Sequence, residues 1–270
     1  MNIISFNTNS IRMRIHQLEV LIETHNPDFI GIQETKVNDP DFPVEEIRNL
    51  GYEPVFHGQK THYGVALLCR HKILDIKKGF VGESEDAQRR FLAVRCKSPL
   101  GGEITLINGY FPQGENIKHE TKYPNKRDYY DNLQKFLGEN CNPEDAVIVM
   151  GDMNISHTDL DIGIGEDNRK RWLSSGKCSF QPEERDWLNR LLSWGLKDTF
   201  RELQPECNDR FSWFDYRSKG FDREPKRGLR IDLILATESL MQRCTVSEVD
   251  YDVRSMEKPS DHAPIWASFK

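Results

Sequence analysis

The fold and the chemistry are both indicated by the stretch Val147-Ile148-Val149-Met150-Gly151-Asp152-Met153-Asn154. Residues 146–150 are all apolar, which predicts a short buried strand. Side chains repeat every second residue in extended chain, so an extended backbone beyond Gly151 would place Asp152 and Asn154 on one face. There the carboxylate can hold a metal ion or take a proton from water, and the amide can donate to a phosphate oxygen. An ordinary Asp/Asn turn after a strand is equally supported by this segment alone.

Short apolar strands and amphipathic helices alternate on both sides of this stretch. Strands are predicted at residues 3–7, 28–34, 52–57, 64–69, 73–80, 91–96, 104–110, 146–150, 231–236 and 263–269. Helices are predicted at residues 12–25, 44–50, 126–137 and 182–194. The long runs of strands argue against a simple doubly wound parallel sheet. The pattern favours a four-layer α/β sandwich, in which two packed sheets are flanked by helices. We expect residues 1–270 to form one such domain.

Composition places the chain among well-solvated globular proteins. Charged residues make up 30% of the 270 residues and the mean hydropathy is −0.67. No apolar run approaches the roughly 20 residues that cross a bilayer, so no membrane association is expected. The first residues carry no basic region or cleavage pattern of a secretory signal. The six scattered cysteines form no Cys-x-x-Cys pair, which favours reduced thiols in a cytoplasmic protein.

Polar side chains stand at the ends of several predicted strands. Asn7 ends the first strand, Glu34 the second and Tyr110 the strand at residues 104–110, and Asp152 and Asn154 follow the strand at residues 146–150. Each residue taken singly is more often a turn or cap residue. Side chains at strand ends that converge on one edge are a common way to build a site. We therefore expect these five side chains to lie together.

A second group of candidate residues lies near the C-terminus, where Asp261 and His262 are adjacent. Neighbours in extended chain point to opposite sides, so Asp261 is poorly placed to orient His262. Asp232, which interrupts the start of an apolar strand, is the better candidate for that partner. An Asp–His pair stabilises the protonated ring, which can hold a phosphate oxygen, while Asp261 faces the metal. A surface turn between Pro259 and Pro264 is the alternative.

These groups fit phosphoester hydrolysis, which requires a hard cation held by oxygen ligands, donors for the phosphoryl charge and a base for water. No nucleophile elbow, Walker loop or Gly-x-Gly-x-x-Gly is present. Acyl transfer, nucleoside triphosphate hydrolysis and dinucleotide binding therefore lack their motifs.

Charge and aromatic residues indicate a nucleic-acid substrate. The net charge is −6 and the pI about 5.8, yet three stretches that look like loops are basic: residues 118–127, 168–177 around Trp172, and 217–230. Such a distribution predicts a positive face that binds a phosphate backbone. Residues 211–216 contain four aromatic rings, two of each strand parity. They cannot all face one core, so one or two are free to stack on a base or line a sugar pocket.

Taken together, the motifs resemble those of bacterial exonuclease III along essentially the whole chain. They are Ser5-Phe6-Asn7, Ile32-Gln33-Glu34-Thr35-Lys36, His62-Tyr63-Gly64-Val65-Ala66, Asn108-Gly109-Tyr110-Phe111-Pro112-Gln113-Gly114, Met150-Gly151-Asp152-Met153-Asn154-Ile155, Phe211-Ser212-Trp213-Phe214-Asp215-Tyr216-Arg217, Leu229-Arg230-Ile231-Asp232 and Ser260-Asp261-His262-Ala263-Pro264. Each is shared with the wider metal-dependent endonuclease, exonuclease and phosphatase superfamily. The Tyr-Phe-Pro-Gln-Gly and Trp-Phe-Asp-Tyr-Arg segments are more specific.

The resemblance implies a fold like that of deoxyribonuclease I, with two packed, mainly antiparallel sheets flanked by helices. It also implies a monomeric, magnesium-dependent enzyme of base excision repair, with manganese as a possible substitute. The substrates would be duplex DNA with abasic sites or 3′ ends. The implied activities are cleavage 5′ to abasic sites, 3′→5′ exonuclease action and removal of 3′ phosphates.

Residue roles follow from the same resemblance. The implied metal site consists of Glu34, the main ligand, with Asn7, Asp152, Asn154 and Asp261. The implied catalytic residues are Tyr110, Asp152, Asn154, Asp232 and His262. The implied DNA contacts are Arg90, Gln113, Arg171, Trp213, Phe214, Arg217 and Leu229, with Trp213, Phe214 and Leu229 lining the pocket for the abasic sugar. Two questions stay open at this point: whether Asp152 or the His262 pair is the base, and whether one metal or two are bound.

Two departures from the family pattern affect loops, not catalytic groups. Ser10 stands at a usual glycine and His157 at a usual proline. Two other functions remain as alternatives. A superfamily member acting on inositol phosphates or sphingomyelin would share Glu34, Asp152 and Asn154, but would not need Trp213 beside three basic stretches. A non-catalytic DNA-binding descendant would have lost catalytic positions, and none is missing here.

Overall fold

The computed structural model describes residues 1–270 and contains two six-stranded sheets. The strands are β1 (Asn2–Asn7), β2 (Phe29–Gln33), β3 (Glu53–His57), β4 (Val65–Cys69), β5 (Ile73–Lys78), β6 (Phe91–Lys97), β7 (Glu103–Tyr110), β8 (Val147–Asp152), β9 (Leu196–Asp198), β10 (Asp232–Thr237), β11 (Cys244–Val249) and β12 (Ile265–Phe269). The α-helices are α1 (Ile15–His25), α2 (Val44–Asn49), α3 (Lys122–Asn140), α4 (Glu166–Ser175), α5 (Pro182–Trp194), α6 (Thr199–Leu203), α7 (Glu238–Met241) and α8 (Tyr251–Arg254). None of them is long and apolar enough to cross a membrane.

Each sheet contains one parallel pair among antiparallel neighbours. The strand orders are β11-β12-β1-β2-β4-β3 and β5-β6-β7-β8-β10-β9. The parallel pairs are β1 with β2 and β7 with β8, and every other pairing is antiparallel. The prediction of two mainly antiparallel sheets is therefore confirmed.

Strand alternation generates the four layers. In β8, Ile148 and Met150 point into the core between the sheets, while Val147 and Val149 point toward α3 and α5. A third core joins the first sheet to α1 and α2. The sheets approach closely at Gly31, where an added Cβ would lie 2.9 Å from the sulfur of Met150. Only glycine leaves room for that contact.

The long strands were predicted well, whereas the smallest and most polar elements were not. Strands β9 and β11 and helices α6, α7 and α8 were missed. Residues 168–177, predicted as a loop, lie mostly in helix α4, so that prediction was wrong. The helix is polar on most faces and buries no residue fully, so it has little hydrophobic periodicity. Its ends were nevertheless visible as Gly165 and Gly176, the latter in the left-handed conformation common after a helix.

Helix α3 begins four residues earlier than the predicted start at Lys126. Pro124 lies in its first turn, where the missing N–H costs no helical hydrogen bond.

The topology brings the functional strand ends to one edge of the sandwich. Strands β1, β2, β7 and β8 end there, and β10 begins there, with Asp232 opposite Asp152. A buried link between the sheets lies close to this edge. Gln33 donates to Asn108 at 2.6 Å, and Asn108 donates in turn to the carbonyls of Ile32 and Ala66. The edge is therefore held by both sheets.

Candidate active site

The strand ends surround a cavity of about 260 Å³. Its lining consists of Glu34, Tyr110, Gln113, Asp152, Asn154, Trp172, Lys177, Ser179, Trp213, Leu229, Ile231, Asp261 and His262. Strand register explains part of this convergence, because Tyr110 on β7 and Asp232 on β10 both pair with Asp152 on β8. The structure thus brings together residues that are more than 200 positions apart in the chain.

His262 lies between two buried carboxylates. Its Nδ1 is 2.8 Å from Asp232 Oδ2, and its Nε2 is 3.7 Å from Asp152 Oδ2. Burial alone would lower the pKa of His262, but Asp232 and Asp152 outweigh it, and the pKa lies well above the ordinary histidine value. The imidazole is therefore held protonated, and His262 contributes to the cavity wall. The partner of His262 is Asp232 rather than Asp261, as the spacing predicted.

The surroundings of Asp152 raise the pKa of its carboxyl group. Burial raises its pKa, His262 lowers it in part, and the neighbouring charges of Asp232 and Glu34 raise it further. The net result is a carboxyl pKa well above its usual range. A carboxylate in this state accepts a proton more readily than an exposed one.

The oxygen atoms of the site fit a hard cation. Ligand atoms of Glu34, Asp152 and His262 lie within 4.8 Å of one another. Burial opposes ionisation of Glu34, but Lys36, Asn7 and His262 outweigh it and lower its pKa, so Glu34 is an ionised ligand. Carboxylate oxygens are the ligands that magnesium prefers. His262 is a poor ligand because its protonated ring has no free lone pair.

Asn7 and Asp261 flank this group of ligand atoms. The Asn7 amide donates to Glu34 Oε1 at 2.9 Å and to Asp152 Oδ2 at 3.0 Å, and so bridges the two carboxylates. Asp261 lies on the cavity wall, outside the three-residue cluster. Its oxygens accept hydrogen bonds from Asn9 at 2.9 Å and from the Trp213 indole at 3.2 Å.

Asn154 reaches the cavity by a different backbone route from the one predicted. Strand β8 ends at Asp152, and Asn154 has a φ of 53°, in the left-handed region. The assumption of extended chain through Asn154 was therefore wrong. The turn is closed by the Asn154 N–H, which donates to Asp152 Oδ1 at 3.0 Å. Because one amide hydrogen of the side chain donates to the Phe111 carbonyl at 2.9 Å, the other hydrogen and Oδ1 remain for a substrate.

Tyr110 and Arg90 form a stack beside the cavity. The Arg90 guanidinium lies 4.2 Å from the ring centre of Tyr63 and 4.4 Å from that of Tyr110. It also donates to the Tyr110 carbonyl at 3.0 Å. Burial raises the pKa of Tyr110, and the charge of Glu34 raises it further. The phenol therefore stays protonated and is available as a hydrogen-bond donor.

A second, larger cavity of about 540 Å³ continues from the first and shares Trp172, Lys177 and Trp213 with it. We call it the basic groove. Its other lining residues are Ile164, Asn168, Arg171, Asp215, Arg217, Ser218, Arg223 and Arg227. None of its five cationic side chains forms a salt bridge. By contrast Arg169, which lies on helix α4 with the groove residue Arg171, pairs with Glu166. With five cations against Asp215, the groove thus offers a net positive charge beside two indole rings.

Comparison with known proteins agrees with this geometry. The profile described as the Endonuclease/Exonuclease/phosphatase family matches residues 4–262. The chain belongs to this family. It is 56% identical to the exodeoxyribonuclease III of Haemophilus influenzae over 270 residues, covering 100% of both chains. The predicted membership of the exonuclease III type, and with it the class of DNA-repair nuclease, is confirmed.

Solved structures of family members superpose along the whole chain. A 3′-5′ exonuclease from Neisseria meningitidis has a TM-score of 0.90 and 32% identity, covering 100% of each chain. An AP endonuclease from Archaeoglobus fulgidus also has a TM-score of 0.90 and 32% identity, covering 100% of this chain and 99% of its own. A 3′ phosphatase from Neisseria bound to a product DNA hairpin has a TM-score of 0.89 and 31% identity, with the same coverage.

Trp213 and Leu229 line the cavity in this family member, but Phe214 does not. Phe214 is fully buried and packs edge-on against Phe221, with Tyr251 nearby. The expectation that it lines the sugar pocket was wrong, since the Phe214 ring points into the protein interior. Gln113 is exposed at the cavity mouth, and Arg171 and Arg217 line the basic groove.

Two basic residues counted toward the positive face belong to the interior. Lys126 and Glu184 form an ion pair with fully buried side chains, and Arg230 is buried between Asp161 and Asp198. Neither is free to meet DNA. Charge counting cannot detect this, because the carboxylate partners are distant in sequence.

Several residues of the site were missed as functional positions. Lys36 pairs with Glu34 at 2.9 Å and donates to Asn9 at 2.5 Å, and Asn9 in turn holds Asp261. Trp172 and Lys177 join the two cavities, with the Lys177 ammonium 3.6 Å from the Trp172 ring centre. The signal for Lys36 was its place two residues after Glu34 in a recognised motif. Trp172 is the single aromatic residue of the basic stretch 168–177, but composition does not show that Trp172 and Lys177 join two cavities.

The two departures from the family pattern lie in loops, as expected. Ser10 has a φ of 100°, so this position does require the backbone that glycine adopts without strain. His157 is partly exposed, and its Nε2 lies 2.7 Å from Asn189 Oδ1.

Proposed function

We propose that the chain hydrolyses the phosphodiester bond 5′ to abasic sites in duplex DNA. We propose further that the same centre removes nucleotides and blocking phosphates from 3′ ends. The observation that carries the proposal is the continuity of two cavities. One holds the ionised Glu34, the buried Asp152 and a protonated His262, and the other holds unpaired cations and indole rings. The first matches a phosphoryl centre in hydrolysis, and the second a nucleic-acid backbone.

Magnesium is the proposed cofactor, with manganese as a substitute. Glu34 would be its main ligand, with Asn7, Asp152 and Asp261 beside it and the Asn154 oxygen within the same cavity. When bound, the ion offsets phosphate charge and lowers the pKa of water. Asn7 would then serve mainly to keep the two carboxylates together, since its amide nitrogen bonds to both.

We assign the role of base to Asp152. His262 is held protonated by two carboxylates and has no lone pair with which to accept a proton. Asp152 is ready to accept one, since its pKa is raised by burial. In this scheme the His262 Nε2–H, the free Asn154 amide hydrogen and the Tyr110 hydroxyl donate to phosphate oxygens as charge develops on them. Trp213 and Leu229 would line the pocket for the abasic sugar.

The test is an assay on defined DNA duplexes, one with an internal abasic site and one with a recessed 3′ end. Cleavage of both with magnesium, and none after chelation, is the expected result. Release of phosphate from inositol phosphates, or of phosphocholine from sphingomyelin, without cleavage of DNA would favour the other superfamily activity. Duplex binding without any hydrolysis would favour a non-catalytic protein. Either result overturns the proposal.

We also propose that the chain acts as a single-domain monomer in the cytoplasm. All six cysteines are free thiols, which suits a reducing compartment. Sedimentation with and without duplex DNA tests the monomeric state.

A further inference from the structure

A buried ion pair lies directly behind the catalytic cavity. Lys126, in the second turn of α3, and Glu184, in the first turn of α5, have side chains that are 0% exposed. Lys126 Nζ lies 2.5 Å from Glu184 Oε1. Neither residue lines the cavity, and neither has a role in the mechanism above.

The remaining hydrogens of Lys126 reach two residues of the site. An ammonium group has three donors. One is directed to Glu184, the second to the Asn154 carbonyl at 2.9 Å and the third to the Gln113 carbonyl at 3.3 Å. Both carbonyls belong to segments outside regular strands, and the side chains of both residues line the cavity. A single ammonium therefore links two walls of the site.

Glu184 links a third wall. Its Oε2 accepts the backbone N–H of Ser179 and that of Gln181, both at 2.8 Å. Ser179 lines the cavity, and Lys177, two residues before it, lines both the cavity and the basic groove. The ion pair thus connects the segments around Gln113, Asn154 and Ser179.

These contacts suggest that the pair serves geometry rather than stability. Replacing a buried ion pair by apolar side chains of similar volume is often neutral or stabilising, so stability alone does not explain this one. Asn154 has no strand ladder to fix its left-handed backbone. Its carbonyl is held by Lys126, and the preceding carbonyl of Met153 is held by Tyr130, one turn further along α3, at 2.7 Å. Helix α3 therefore aligns the end of β8.

We propose that Lys126 and Glu184 are a positioning pair, which fixes the Asn154 and Gln113 segments at the distance that the phosphoryl group and the adjoining DNA strand require. The proposal rests on the proposed function. Without the pair, the Asn154 amide would lose its aim at the phosphate, and Gln113 its place at the cavity mouth. A misplacement of about 1 Å can lower a rate by about 100-fold.

The test variant is Lys126→Met with Glu184→Gln. The glutamine oxygen keeps an acceptor for Ser179 and Gln181, while the methionine fills the space of the lysine stem and cannot hold the two carbonyls. We expect kcat on the abasic duplex to fall by about 30- to 100-fold and KM to rise by about threefold. Should this protein not fold, Lys126→Gln with Glu184→Gln serves instead, because glutamine is too short to reach both carbonyls.

A matched control is Leu133→Ala, which opens a cavity in the same helix. Leu133 is fully buried in the core between α3, α5 and the second sheet, about two turns further along α3 than Lys126. We expect it to lower the melting temperature while kcat stays within about twofold of wild type. A loss in this control equal to that of the pair variant would mean that destabilisation alone explains the effect, and would overturn the proposal.

Two further readouts separate positioning from general damage. In an Asn154→Ala background the pair variant should cost less than about threefold in kcat, because the residue it positions is already missing. Hydrogen exchange should accelerate in residues 112–116, 153–156 and 177–181 and remain unchanged elsewhere. Equal losses in both backgrounds, or unchanged exchange in these segments, would overturn the proposal. Hydrogen exchange is measured without substrate, so it tests the positioning pair separately from the proposed function. The proposed function fails if the wild-type protein cleaves none of the duplexes.

Discussion

Replacing Asp232 by asparagine isolates the charge that keeps His262 protonated. The two side chains are 1% and 4% exposed and their atoms lie 2.8 Å apart. At an effective dielectric constant of about 20, unit charges at that distance attract by about 6 kcal/mol. Desolvation offsets part of this attraction, and we take about 3–5 kcal/mol as the net stabilisation of the protonated ring by Asp232. Because the protonated ring is the form that would hold the phosphate oxygen in the transition state, loss of that stabilisation should lower kcat on the abasic duplex by about 10²- to 10⁴-fold.

The pH dependence of the rate shows in which direction the pKa of His262 moves when Asp232 is replaced. His262 has a raised pKa in the folded protein, so its protonated form is present at neutral pH and is lost only as the pH rises through that value. Without Asp232 the nearest carboxylate left is that of Asp152, at 3.7 Å. We expect the alkaline limb of the pH–rate profile to move to lower pH by more than about one unit, a shift that corresponds to about 1.4 kcal/mol.

A second Asp–His pair offers a control. His25 and Asp250 are partly buried and lie 2.7 Å apart, and neither lines the catalytic cavity or the basic groove. Asp250→Asn should reduce thermal stability yet keep kcat and the alkaline limb unchanged. The reasoning is refuted if Asp232→Asn retains kcat within twofold, or if both variants shift the profile equally.

Three other changes test the remaining parts of the site. Asp152→Ala should abolish cleavage and leave duplex affinity within about threefold, as measured by single-turnover cleavage and fluorescence anisotropy; unchanged turnover would exclude Asp152 as the base. Duplex affinity should fall steeply with salt despite the acidic pI, and Arg217→Ala should reduce the slope of log Kd against log salt by about one, since one unpaired cation is lost; a flat response would contradict the assignment of the basic groove. Magnesium should raise the melting temperature of wild type through binding to the folded state, and Glu34→Gln should remove that rise because the ionised ligand is lost; an equal rise in both would place the metal elsewhere.

The sequence predicted the strands that bury both faces and the edge at which they end. Apolar runs such as residues 146–150 predict buried strands, because such a segment loses stability in solvent and Gly151-Asp152 marks its end. Strand β9 has only three residues, too few to show alternation. Helix α4 is polar on most faces and is held by contacts with distant residues such as Phe180 and Leu229, which local periodicity cannot reveal.

The composition of the candidate site was similarly predictable, but its backbone was not. Adjacent side chains in extended chain point to opposite sides, which disfavours Asp261 as the partner of His262. The structure contains the predicted pair of Asp232 and His262. The turn that carries Asn154 depends on the Asp152 side chain and on Lys126 from a separate helix. Phe214 points inward because its neighbours on other segments provide a pocket for the ring. These contacts arise only after folding, so no local pattern encodes them.

The backbone around the cavity has a further consequence for how the protein can be improved. Asn9, Ser10, Glu34, Lys36 and Asn154 all have positive φ, between 45° and 100°, and each such non-glycine residue costs up to about 1–3 kcal/mol. Glycine substitutions there would relax the chain and raise its tolerance to heat. They would also delete the side chains of Glu34 and Asn154, on which the proposed chemistry depends. Selection for thermostability and selection for turnover would therefore act in opposite directions on these positions, and Ser10, which has no proposed chemical role, is the one where they need not conflict.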